Sequence, residues 1–387
     1  MLVSVSSVRP EADDPALVTT DSRLVANVRR IAVLRANALG DFIFSLPALD
    51  ALRAAYPAAE IVLLARPWHR ELLSSRPGPV DRVIVLPEGI PPDGAPALPP
   101  HEHDAVLGAI ADEGWDIALQ MHGGGRHSNP VVRSLGARVT AGCRTPDAPE
   151  LDRWIRYVYY QSELARLMEV ASLVGARPVR QEPRLEATDD DRAAASAALP
   201  ELAADPWAVI HPGATDRRRR WPVERFAMVG DALAQRGLQV VVTGTPGETD
   251  LVQAVRDAMS APVVDSVGRL GLSGLVGVLS GAAVVVSNDT GPLHLAAAVG
   301  TATVGIYWCG NALNGGTPLR ARNRVAISWR NACPVCGVDC IRASCPHDAS
   351  FVTDVPLDEV LDAALDVVTL PAPSSAPPAV LDAAGVS

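Results

Sequence analysis

No apolar run in this 387-residue sequence approaches the roughly 18 residues that a membrane-spanning helix needs. The opening residues, MLVSVSSVRPEADDPA, lack the basic start and the long apolar stretch of a secretory leader, so the cytoplasm is the expected compartment. Net positive charge is missing as well. The sum is −10 at neutral pH, which argues against nucleic acid as a partner and leaves local arginine clusters as the places to look for anion sites. Neither half carries a G-x-G-x-x-G turn, which disfavours a nicotinamide oxidoreductase, and the glycine turn at 243–248 does not have the spacing of a P-loop. What the chain does have is a 48% apolar share and enough length for two domains, each with its own core.

The apolar residues fall into short runs separated by helical spacings. Arg30–Leu34 reads as a first strand, and the loop 35–41 leads into a helix ending at Tyr56. Pro47 fits only a first turn, so that helix is expected to begin near Leu46. Further strands are expected at 61–65, 83–86, 115–120 and 138–142, with an amphipathic helix at 162–174. The charged stretch 178–191 lacks apolar periodicity and reads as an interdomain link. The pattern then restarts, with strands at 207–211, 239–244 and 263–265 and helices at 225–236, 249–259 and 272–280. Strand–helix–strand repeats imply right-handed parallel units, so the class is doubly wound α/β. The expected division is a disordered arm at 1–27, domains at 28–185 and 186–354, a terminal helix at 355–370 and a disordered tail at 371–387.

The most informative stretch is VVVSNDTGPLHLAAAVGTATVGIY, residues 284–307. A β-branched run gives a buried strand, Asn288 to Pro292 stop it, and Pro292 suits the first turn of the helix that follows. A helix N-terminus at the carboxyl end of a parallel strand presents free N–H groups to the crevice and favours anions. An ordinary β–α turn would need only the cap and the proline. Here Asp289, Thr290, Gly291 and His294 crowd into one turn.

This segment resembles the donor-binding motif of glycosyltransferase family 9, the ADP-heptose:lipopolysaccharide heptosyltransferase family. RANALGDFIFSLPALDALRAAYP, residues 35–57, is similar to that family's N-terminal signature. The resemblance spans most of residues 30–370 and implies the GT-B fold, two Rossmann-like domains facing across a cleft. It further implies an inverting, metal-independent transferase that takes a sugar from a nucleotide-diphosphate donor, ADP-heptose being usual. The acceptor would be a glycan, a lipid-linked glycan or a small molecule; a lipid-linked one is compatible with peripheral attachment to the inner face of a membrane. Two alternatives stand beside it: a GT-B nucleotide-sugar epimerase or hydrolase, and an inactive nucleotide-sugar-binding protein.

Taken by itself, Asp41 is a carboxylate at a helix start, where it can simply cap the helix. The resemblance gives it the role of general base for a sugar hydroxyl, with Gly40 beside it on the acceptor side. The segment HPGATDRRRRWP places Gly213, Ala214 and Thr215 before a run of four arginines. These supply charge and paired donors for phosphate oxygens, or else a solvated basic loop. The family pattern has a lysine where this chain has Arg219, so the charge is kept and a titrating donor is lost. Arg219 is the second catalytic candidate. Glu248 is expected near the nucleoside ribose and Gly268 near the base, while Asp289, Thr290, Gly291, Pro292 and His294 complete the donor site. His69, Gln120 and His122 follow the second and fourth expected strands and are candidates for acceptor contacts, with a mobile surface loop as the plain reading of residues 120–127.

Cys333, Cys336, Cys340 and Cys345 have the spacing C-x2-C-x3-C-x4-C, with His347 close behind. A cytoplasmic chain argues against stable disulfides, and four near thiols can hold zinc or iron–sulfur, although the spacing matches no common ligand pattern. Free thiols, a metal and disulfides are all compatible with it. No other cofactor is expected.

Overall fold

Short runs of Val, Ile, Leu and Ala become strands covered on both faces, and the polar turn after each sends the chain into a helix. The computed structural model describes residues 23–91, 98–202, 205–316 and 322–369. The first half runs β1 (Arg30–Leu34), α1 (Leu39–Ala55), β2 (Glu60–Ala65), α2 (Pro67–Leu73), β3 (Arg82–Val85), α3 (Pro100–Ala111), β4 (Ile117–Gln120), α4 (Ser128–Ser134), β5 (Val139–Arg144), β6 (Arg153–Arg156) and α5 (Glu163–Ser172). The second runs α6 (Asp189–Ala198), β7 (Trp207–His211), α7 (Val223–Ala234), β8 (Gln239–Val242), α8 (Thr249–Ala258), β9 (Val263–Asp265), α9 (Leu272–Gly281), β10 (Val284–Asn288), α10 (Gly291–Ala298), β11 (Thr303–Trp308), α11 (Cys309–Gly315), β12 (Asn323–Ser328) and α12 (Leu357–Thr369).

Each half builds one parallel six-stranded sheet, ordered β3-β2-β1-β4-β5-β6 and β12-β11-β10-β7-β8-β9. Numbered within its own half, the second sheet repeats the order of the first. Both are doubly wound, with strand order reversing between β1 and β4 and between β7 and β10. Ile31 pairs with Ile61 on one side and Ile117 on the other, and Val285 pairs with Val209, so the central strands are apolar on both faces. These are the two Rossmann-like domains of a GT-B architecture.

One apolar core is shared between the halves. Phe42, Leu49 and Leu52 of α1 join Val276 and Leu279 of α9 and Leu295 and Ala296 of α10 in a single buried cluster. A buried ion pair adds to it: Arg76, just after α2, grips Asp191 of α6 at 2.8 Å, and both side chains are almost wholly covered. Burial opposes ionisation of Asp191, but Arg76, the Ser273 hydroxyl and the Thr188 amide outweigh it and hold the carboxyl below its ordinary range.

Several expectations need correction. Helix α1 starts at Leu39, not near Leu46, and carries Pro47 inside it. Its first turns gain side-chain bonds that offset part of the proline's cost: Arg35 Nε donates to the Asp41 carbonyl at 3.1 Å and Ser45 Oγ to that of Phe42 at 2.6 Å. The end of the expected link, 189–191, is the first turn of α6, fixed by a reciprocal cap in which Thr188 and Asp191 bond each other's amides. Residues 23–27, expected in the arm, are tied to the first domain, for instance by the Val25 amide to Tyr56 Oη at 3.1 Å. The rest of that arm, 1–22, and the tail from 370 lie outside the described residues.

Candidate active site

The site begins with two glycines. α1 and α10 enter from opposite domains, and their first turns touch. A Cβ on Gly40 would stand 2.9 Å from His294 Cδ2, and one on Gly291 would stand 3.1 Å from Leu39 Cβ. Phe44 lies against the His294 ring, with centroids 4.6 Å apart. Small residues at this crossing let two helix N-termini meet at the carboxyl edges of both sheets, where open α/β folds bind ligands.

On the second domain's side, Asn288 ends β10 and fixes the loop after β7. Its Nδ2 donates to the Pro212 carbonyl at 2.8 Å, and its Oδ1 accepts from the Trp221 amide at 3.0 Å. Asp289 is buried and faces two partners. His294 Nε2 stands 2.9 Å from Oδ1, and Arg219 reaches Oδ2 at 3.3 Å and the Asp289 carbonyl at 3.2 Å. Two of the other arginines of the run are engaged elsewhere. Arg218 forks onto Asp216 and lies over Phe351, and Arg220 bonds the Ala214 carbonyl. Thr290 caps α10 without a side-chain bond to the helix. The Gly291 and Leu293 amides belong to the first turn, which has no intrahelical acceptors for them, and Pro292 has no N–H to leave unpaired.

The first domain's wall is a charged network. Arg35 follows β1 and is almost fully buried. It donates to the Met121 carbonyl, to the Asp41 carbonyl and to Glu163 Oε1 at 2.8 Å, and its Nη2 stands 3.8 Å from the Asp41 carboxylate. Glu163, in the first turn of α5, is also held by Arg166. Arg166 in turn lies 4.4 Å over the Tyr157 ring and donates to the Val158 and Tyr159 carbonyls. Asp41 is left with its side chain 45% exposed toward the gap.

These walls enclose a cavity of about 360 Å³. Of the expected site residues, Gly40, Asp41, Thr215, Arg219, Asp289, Thr290, Gly291 and His294 line it together. Asp41 and Arg219 thus face one space from opposite domains. Two further cavities adjoin it. One of about 400 Å³ is formed by His122 and the glycine loop and shares Gly123 and Tyr157 with the first. The other, about 420 Å³, shares Tyr159, Arg219, Asn311 and Asn314 and extends toward the cysteine segment.

Other expected residues sit elsewhere. Gly213 and Ala214 are buried behind the cavity, where a Cβ on Gly213 would collide with the Glu248 carboxylate. Glu248 Oε2 is engaged by the Thr245 amide and hydroxyl, both at 2.9 Å. Pro292 and Gly268 are outside the cavity lining, Gly268 in a left-handed turn at φ 69°. Gln120, expected at the acceptor, is buried and turned inward. Its amide nitrogen bonds the His122 carbonyl at 2.5 Å and Ser128 Oγ at 2.6 Å, so it holds the glycine loop in shape. His69 is fully buried under Phe42 and beside Trp68. Burial drives its pKa down to about 3, and it is a neutral core histidine away from the cleft. His122 keeps contact with the side cavity while its Nδ1 accepts the Ala36 amide at 3.2 Å.

Tyr157, Glu163 and Arg166 line the cavity and Arg35 braces that wall, and sequence reasoning singled out none of the four. The only local hint was a charged residue closing the apolar run of β1. Its partner Glu163 is 128 positions away.

The profile of glycosyltransferase family 9 (heptosyltransferase) matches residues 105–340. Among curated proteins, the chain is 22% identical over 313 residues to the lipopolysaccharide core heptosyltransferase OpsX of Haemophilus influenzae, covering 79% of this chain and 86% of that protein. Among solved structures, it is similar to a family 9 glycosyl transferase of Veillonella parvula, with a TM-score of 0.73, 20% identity, and coverage of 90% of this chain and 99% of that one. It is also similar to the E. coli ADP-heptose lps heptosyltransferase II, with a TM-score of 0.68, 20% identity, and coverage of 88% and 98%. The likeness to these two structures is one of fold.

Proposed function

The chain belongs to glycosyltransferase family 9, and from that premise we propose that it moves a heptose, with inversion and without a catalytic metal, from ADP-heptose to a hydroxyl of a glycan or lipid-linked acceptor. The donor is suggested by the relatives, named heptosyltransferases, one of them specifically for ADP-heptose. The observation that carries the reading is the single cavity in which Asp41 faces Arg219, Thr290 and the first turn of α10.

The chemistry follows from those positions. The acceptor hydroxyl enters from the side of the glycine loop and Tyr157. Its oxygen bonds to the anomeric carbon as the bond from that carbon to the diphosphate oxygen breaks. The hydroxyl proton passes to the Asp41 carboxylate. The electron pair leaves on the diphosphate, whose growing charge is met by the Gly291 and Leu293 amides, the helix dipole, the Thr290 hydroxyl and Arg219. The chain contains no lysine at all. Arg219 keeps its charge at every working pH, so it stabilises through field and hydrogen bonds and donates no proton to the leaving group. Asp289 holds Arg219 from behind, and the Arg35–Glu163 pair fixes the turn that carries Asp41. Among the described residues no helix is long and apolar enough to cross a membrane; we place the chain in the cytoplasm, where it would meet a lipid-linked acceptor at the membrane surface.

The test is product analysis by NMR with ADP-heptose and a panel of core-glycan acceptors. Transfer with the anomeric configuration opposite to that of the donor, at a rate unchanged by added magnesium or manganese, is the expected result. Retention of configuration, or donor consumed equally well with no acceptor, would overturn it.

A further inference from the structure

Away from the cleft centre, four soft ligands converge in a segment that has no helix or strand of its own. Cys333, Cys336, Cys345 and His347 place their ligand atoms within 4.8 Å of one another, and Cys333 Sγ stands 3.8 Å from His347 Nδ1. Tetrahedral zinc, with bonds of about 2.3 Å to sulfur, sets its ligand atoms about 3.8 Å apart, so the widest pair need close by only about 1 Å.

The backbone is shaped for this convergence. In Cys333-Pro334-Val335-Cys336-Gly337 the chain turns on itself. The Gly337 amide donates to the Cys333 carbonyl at 2.9 Å, and the Cys333 amide donates to that of Val338 at 2.8 Å. Gly337 takes φ 74°, which a side chain would resist. Cys345 and His347, two residues apart, close the other side. Among the described residues the segment's regular pairing is one isolated bridge between Ala332 and Asp339.

We propose that Cys333, Cys336, Cys345 and His347 bind one zinc ion in a closed tetrahedral site of three sulfurs and one nitrogen. The three thiols lose their protons on binding. With every coordination position filled by protein, the ion is structural and activates no water. Cys340 is outside the set: its sulfur donates to the Val338 carbonyl at 3.4 Å and lies 4.0 Å from Cys345 Sγ.

The segment also explains what such an ion would hold in place. Residues 340–344 line the side cavity next to Arg219. Tyr160 Oη, from the first domain, donates to the Ile341 carbonyl at 2.6 Å. Ser350 Oγ bonds the Arg220 carbonyl at 2.7 Å, and the Phe351 amide bonds that of Arg218 at 2.6 Å. The ion therefore staples a lobe that braces the arginine loop and touches the opposite domain.

The experiment is metal analysis of the full chain purified under reducing conditions, followed by cobalt titration of the chelator-treated protein. About one zinc per chain is expected, with a sulfur-to-cobalt charge-transfer band and the visible bands of tetrahedral cobalt. Cys336→Ser and His347→Ala should each lose most of the bound zinc, while Cys340→Ser keeps it. The cobalt titration of the unaltered chain needs no variant to fold. A chain that carries no zinc and gives no tetrahedral cobalt spectrum would overturn the proposal. So would iron as the bound ion, or loss of zinc in Cys340→Ser but not in His347→Ala.

Discussion

Both halves of the molecule wind the same strand order, and both place an arginine in the loop after their first strand, yet they use the cation in opposite ways. Arg35 has 1% of its side chain exposed and is engaged by two carbonyls and Glu163. Arg219 has 21% exposed and is held from behind by Asp289, with the rest of its fork toward the cleft. The difference teaches where each charge acts. A guanidinium closed in by protein groups fixes the first domain's wall and the turn carrying Asp41, whereas a half-open one is available to a ligand's charge.

Three substitutions test that contrast. The largest effect is expected from Arg35→Met, which leaves buried carbonyls unpaired and Glu163 with Arg166 alone. It should cost about 3–5 kcal/mol of stability, measured by urea unfolding; a loss below about 1 kcal/mol would erase the distinction. Arg219→Met should do the reverse. Stability should stay within about 1 kcal/mol, while calorimetry shows ADP affinity weakened by about 1.5–3 kcal/mol through loss of a charged hydrogen-bond donor. Arg219→Lys should fall between wild type and Arg219→Met in ADP affinity, because the charge stays and the paired donors go.

The smallest effect comes from a buried histidine of the first half. His69, buried and with its pKa lowered to about 3, stays neutral in the folded chain while the unfolded chain takes up a proton below about 6.5. The unfolded state then binds more protons, so stability should fall as pH drops from about 6.5 toward 3, by at most about 1.4 kcal/mol per pH unit from this residue. His69→Phe, packed between Phe42 and Trp68, should flatten that part of the profile. An unchanged slope would mean that His69 titrates normally.

The fold was legible because parallel strands covered on both faces announce themselves as β-branched runs, and the stretch from Val284 to Tyr307 did so most clearly. The second domain's side of the cavity was legible for a related reason: Asp289, Thr290, Gly291 and His294 are neighbours in the chain, so local pattern brings them together. The first domain's side depends on contacts that no local pattern encodes. Arg35 meets Glu163 only because α5 packs on α1, and nothing near either residue points to the other. Gln120 ends a strand and His69 follows one, the places where ligands of such sheets bind, but which way a side chain turns is decided by packing. Pro47 misled through a sound local rule, since the helix around it is fixed by burial of Phe42, Leu46 and Leu49. The Thr188–Asp191 cap was readable in sequence, but the acidic run after it masked a helix start as a linker.

The central claim is tested most directly by Asp41→Asn, with donor-nucleotide binding and sugar transfer measured on the same preparation. The account predicts ADP affinity unchanged within about twofold and transfer reduced by about 10²–10⁴-fold, the usual worth of a general base. Transfer persisting near the wild-type rate, or binding and transfer lost together, would contradict it.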